Sequence, residues 1–129
     1  MKKFQIVSDI HGNVKDRRAC NAAIAFSKQF NPDIRVIAGD LWDFAAIRKG
    51  AGPDEQAISM REDFDDGKEF ADSFFGEVSE NVLMLGNHDI RAYDLRESVD
   101  AVKSDLGYRM VADIKALAFK HNAQLIDYD

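Results

Sequence analysis

Four short apolar runs, at residues 4–7, 34–38, 82–85 and 124–126, recur along the chain with longer segments of helical periodicity between them. That alternation is the pattern of an α/β domain, not of a helix bundle or a β-sandwich. Two of the runs put apolar side chains on both faces of a strand: Ile34, Val36, Ile37 and Ala38 in one, Val82, Leu83, Met84 and Leu85 in the other. Strands of that kind belong to a sheet covered on both sides, so a parallel or mixed sheet flanked by helices is expected. Four stripes at helical spacing are read as the covering core faces. They are Ala19, Ala23, Phe26 and Phe30; Met60, Phe64, Ala71 and Phe74; Leu95, Val99, Val102 and Leu106; and Met110, Ile114, Leu117 and Ala118. The whole chain, residues 1–129, reads as a single domain. At that length a core holds without a disulfide or a structural metal.

Charge narrows the function classes. Seventeen Lys and Arg stand against twenty-three Asp and Glu, a formal net charge of −6, which argues against a protein that grips nucleic acid through clustered cations. Nucleic acid enters only as a candidate substrate. No apolar run approaches the roughly eighteen residues that span a bilayer. The start, Met1-Lys2-Lys3, is not that of an export signal, because Ser8 and Asp9 interrupt the following apolar stretch. The only cysteine, Cys20, cannot form an internal disulfide. A cytoplasmic protein is expected. Residues 47–57, with Gly50, Gly52 and Pro53, read as a loop. Asp63, Asp65 and Asp66 read as a solvated helix face, since they lack the spacing and closing Glu of a calcium loop.

The chemistry-bearing residues follow the ends of the apolar runs. Ser8-Asp9-Ile10-His11-Gly12-Asn13 comes after the first, Gly39-Asp40-Leu41-Trp42-Asp43 after the second and Gly86-Asn87-His88-Asp89 after the third. In open α/β sheets ligands bind beyond the carboxyl ends of the strands, so three strands would deliver these groups to one place. Asp9 and His11 are two apart on a segment read as extended, so both side chains point the same way, and a carboxylate beside an imidazole suits a divalent metal. Asp40 and Asn87 add oxygen ligands from neighbouring strand ends. Helix capping would account for Asp9, Asp40 and Asn87 but for neither His11 nor His88. Trp42 is read as a buried packing residue.

These three strings resemble the first half of the calcineurin-like metallophosphoesterase family. The resemblance implies the N-terminal half of a four-layer αββα sandwich and a hydrolase that cleaves a phosphate mono- or diester through a water or hydroxide bridging two divalent ions. Carried over residue by residue, it makes Asp40 the bridging ligand, Asp9 and His11 ligands of the first metal and Asn87 a ligand of the second. His88 would stabilise developing charge and protonate the leaving oxygen, Asp89 would orient its imidazole, and Asp43 would support the site from behind. Phe44 and Ala45 stand where the protein-phosphatase branch has Arg-Gly, which argues against a protein serine/threonine phosphatase. The ligand set suits manganese, iron or zinc.

The family's further metal-binding histidine and its Gly-His-x-His string do not occur in these 129 residues. His121, the one remaining histidine, falls near a helix end, where a cation favours the dipole. A domain truncated at its C-terminus is therefore expected. Its apolar face, formed by residues such as Ile37 and Met84, would pair with a second copy or with the missing half. The alternative to an enzyme is a catalytically incomplete remnant that binds a metal or a partner chain. A nucleotide-binding module is disfavoured, because no Gly-rich string has the spacing of a phosphate-cradling loop.

Overall fold

In the computed structural model, which describes residues 1–129, the strands β1 (Phe4–Val7), β2 (Ile34–Ala38), β3 (Glu80–Met84) and β4 (Ala123–Ile126) form one sheet. Their order is β1-β2-β3-β4, and every neighbouring pair is parallel. The connections carry the helices α1 (Arg17–Phe30), α2 (Pro53–Gln56), α3 (Met60–Phe74), α4 (Arg91–Leu95) and α5 (Ala101–Lys120). Right-handed crossovers that step always in one direction deposit all their helices on one face of the sheet. Burial follows that rule. Val7, Ile37, Leu83 and Leu125 form one cross-strand row on the helix side, and Ile37 and Leu83 are fully buried there. The next row, Ile6, Val36, Val82 and Gln124, points away from the helices, with Ile6 55% exposed.

The sheet is thus all parallel and covered on one side only. Ile37 does not belong to the open face as expected; it lies under the helices, because the strand's period of two sends it opposite to Val36 and Ala38. Met84 does lie on the open side, in register with Ala38 and Ile126.

The stripes at Met60, Phe64, Ala71 and Phe74 and at Met110, Ile114, Leu117 and Ala118 pack into or against the core. The other two stripes are displaced. In α1 the buried positions are Cys20 and Ser27, with Ile24 beside them, while Phe26 is 51% exposed and stacks on Phe30. A polar pair hid this face, since the Ser27 hydroxyl meets the Gln5 side chain of β1. Val99 and Val102 are exposed, because Asp100 caps α5 by accepting the N–H groups of Val102 and Lys103 and so starts a new helix there. Within the expected loop at 47–57, Pro53–Gln56 forms one helical turn, and the Arg48 guanidinium pairs with Glu55.

Candidate metal centre

The three polar strings meet where the sequence predicts, at the carboxyl ends of β1, β2 and β3. The local backbone is not extended, however. Asp9 (φ 58°), His11 (φ 61°) and Asp40 (φ 57°) all adopt left-handed conformations that non-glycine residues seldom occupy. The β1 exit loop is held there by the β2 exit loop: the N–H groups of Asp9, His11 and Gly12 donate to the carbonyls of Gly39, Asp40 and Leu41 at 3.1, 3.0 and 2.9 Å. Strained backbone held by surrounding hydrogen bonds is characteristic of functional sites. Asp9 and His11 share a side because of these turns and not because of strand alternation.

Ligand atoms of Asp9, His11 and Asp40 all lie within 4.8 Å of one another, and Asp9 Oδ1 is 3.4 Å from His11 Nε2. Two protein ligands each about 2.0–2.2 Å from one ion stand about 3–4 Å apart, a spacing that the Asp9–His11 pair meets, and the three together could hold a divalent cation. Asp9 is held below the usual carboxylate range, chiefly by the Ser8 hydroxyl at 2.7 Å. His11, Asp43 and His88 form a second close group. Asp43 Oδ1 is hydrogen-bonded to His11 Nδ1 at 3.0 Å and approaches His88 Nδ1 to 3.3 Å. Donating Nδ1–H to a carboxylate leaves the His11 Nε2 lone pair for a metal. His88 Nδ1 also lies 3.0 Å from the Asp43 carbonyl, and the two imidazoles meet edge to face at 4.7 Å.

Asp89 does not orient His88. It is fully buried, and its carboxylate accepts the backbone N–H groups of Asp40 (2.8 Å), Trp42 (2.9 Å) and Gly86 (2.8 Å). Burial pushes its pKa up to about 6, against the opposing pull of those three amides. The physical reason for the difference is reach: Asp89 points down into the loops, while Asp43, three residues past Asp40, lies beside both rings. Asp43 is therefore the residue that orients His88 as well as His11.

Asp40, only 8% exposed, accepts the His88 N–H on Oδ1 at 2.9 Å. Gly86 makes this approach feasible, since a Cβ there would sit 2.2 Å from Asp40 Oδ1. Asn87 is exposed and lines a cavity of 1040 Å³ together with Arg91, whose guanidinium donates to the Asp43 carbonyl at 3.0 Å.

Asp63 is a support that the sequence reading missed. It is not solvated: it is 1% exposed and accepts the N–H groups of Asp43 (3.1 Å) and Phe44 (2.7 Å), so it fixes the turn that carries Asp43. Burial raises its carboxyl pKa. Its signal was present, because position 63 falls three residues after Met60, on the core stripe of α3. Gly12 belongs to the same contact, for a Cβ on it would meet Asp63 Oδ1 at 2.0 Å. Trp42 is fully buried, stacked between Phe44 and Phe64. His121 sits at the opposite end of the sheet, with Nε2 2.6 Å from Asp72.

A model of the family described as calcineurin-like phosphoesterase matches residues 2–125. No curated protein matches the chain. No helix is long and apolar enough to cross a membrane.

Proposed function

The chain belongs to the calcineurin-like phosphoesterase family, and from that premise we propose that it hydrolyses a phosphate mono- or diester with the help of divalent metal. The observation that carries this reading is the convergence of Asp9, His11 and Asp40 beside a histidine, His88, whose Nδ1 the Asp43 carbonyl holds. Asp9, His11 and Asp40 would hold one ion, and Asp40 with Asn87 a second. Divalent ions bound there supply a nucleophile at neutral pH and neutralise the charge on the phosphoryl oxygens. This explains how a chain of net charge −6 can accept an anionic ester.

The protein's own groups do the rest. Asp43 keeps His11 in the tautomer that offers Nε2 and holds His88 Nδ1 in a fixed hydrogen bond. With Nδ1–H given to the Asp43 carbonyl, His88 would have to carry a second proton, on Nε2, to pass one to the leaving oxygen. Buried Asp89 and Asp63 fix the backbone of the two loops, so the ligands are preorganised before substrate arrives.

The test is hydrolysis of phenyl phosphate with added Mn²⁺ by the wild type, Asp40→Ala and His88→Ala. Activity is expected in the wild type, with losses of about 100-fold or more in both variants. Equal rates in all three would rule out this mechanism.

A further inference from the structure

The 1040 Å³ cavity, which Asn87 of the proposed metal centre lines, lies between the segment after Phe44 and α4 with the first two turns of α5. Asn87 and Arg91 line it, as do Lys49 from the segment after Phe44 and Lys103 from α5. Its charge differs from that of the rest of the chain. Arg48 is engaged by Glu55, which leaves Arg91, Lys49 and Lys103 facing Asp94 and Glu97, a positive excess in a protein of net charge −6. None of those three cations forms an ion pair with a carboxylate. Arg91 uses one guanidinium N–H on the Asp43 carbonyl, which anchors it and leaves its other donors available. Ile47 and Leu106 give the walls an apolar component, and the volume is ample for a nucleotide-sized ligand.

We infer that this cavity selects a substrate bearing a second anionic group beyond the scissile phosphoryl, with Arg91 beside the reacting phosphate and Lys49 and Lys103 receiving the distal charge. The inference rests on the proposed phosphoesterase reading and adds its substrate class. A single phosphoryl group, which the proposed ions would hold, has no use for Lys49 and Lys103. A phosphate or carboxylate carried further along the substrate does. In a nucleoside diphosphate, water's oxygen would join the β-phosphorus, the bridging oxygen would leave with the nucleoside monophosphate, and the water's protons would end on the products or in solution.

ADP, AMP and phenyl phosphate serve as probes, with the full chain and Mn²⁺. The wild type is expected to show a kcat/KM for ADP about tenfold above that for AMP, from two exposed charge contacts. In Lys49→Ala/Lys103→Ala that ratio falls close to one, while phenyl phosphate is hydrolysed as before. A ratio unchanged by the double substitution, or already near one in the wild type, overturns the inference and leaves the phosphoesterase reading intact. If no probe is hydrolysed, that reading fails instead. Equilibrium binding of ADP without metal then decides the inference: about tenfold weaker binding by the double variant supports it, and equal binding overturns it.

Discussion

The backbone N–H of Asp40 donates to the buried carboxylate of Asp89 at 2.8 Å, so a proposed ligand at the end of the second strand is held by a side chain from the end of the third. The same carboxylate takes the amides of Trp42 and Gly86. Asp89→Ala would leave three buried donors without an acceptor and is expected to cost about 3 kcal/mol or more. Denaturant unfolding measures this, and a change below about 1 kcal/mol would contradict the role.

The Asp43 carboxylate holds the His11 imidazole, whereas His88 is held by the Asp43 backbone carbonyl, which an alanine retains, so removing the side chain acts chiefly on the metal. Asp43→Ala is expected to lower affinity for Mn²⁺ about 10- to 100-fold, as loss of a ligand's supporting carboxylate does elsewhere. Calorimetric titration reads the affinity. Wild-type affinity in the variant would show that His11 is oriented by something else.

Gly86→Ala brings a methyl carbon to 2.2 Å from Asp40 Oδ1. Either the loop or the Asp40 carboxylate must move, and activity on phenyl phosphate is expected to fall by at least tenfold. Comparing it with Gly52→Ala, where an added Cβ meets nothing within 4 Å, separates this clash from a general effect of losing glycine.

At the far end of the sheet, burial raises the Asp72 carboxyl, but hydrogen bonds from His121, Lys68 and Lys120 outweigh it and leave the pKa at about 2, below its ordinary 3.8. A carboxyl with a depressed folded-state value stabilises the fold above its unfolded value. That contribution, about 1 kcal/mol after solvent screening, is lost as pH falls from about 4 towards 2. Asp72→Asn should therefore flatten the stability profile across that window, measured by unfolding at a series of pH values.

The face opposite the helices carries Phe4 (61% exposed) and Ile6 (55% exposed) together with Val36, Val82 and Met84. Concentration-dependent association of the 129-residue chain through this face is expected. Sedimentation velocity would detect it, and Ile6→Lys/Val36→Lys should return the chain to monomer. A wild-type monomer at all concentrations would count against the expectation.

Much of this fold was legible because strand periodicity and the strings after each strand are local properties. Runs of apolar residues marked all four strands, and Asp9, His11, Asp40, Asn87 and His88 follow three of them in the order an α/β crevice requires. The α1 stripe was displaced by a polar contact. In α1 the buried face includes Ser27, matched to Gln5 across the helix–sheet contact, and a hydrophobicity pattern has no way to register a polar pair. Asp63 escaped for a similar reason, since a carboxylate on a core stripe is intelligible only beside the two amides it accepts.

The sequence by itself determined the strands and which polar groups follow each of them, because spacing along the chain sets which groups leave each strand end. Tertiary structure alone decided how those groups are held. The left-handed turns at Asp9, His11 and Asp40 exist because neighbouring exit loops hydrogen-bond one another. Asp43 rather than Asp89 faces the two imidazoles because contact depends on where loops from different strands cross, a relationship between residues up to 45 positions apart that no local pattern encodes.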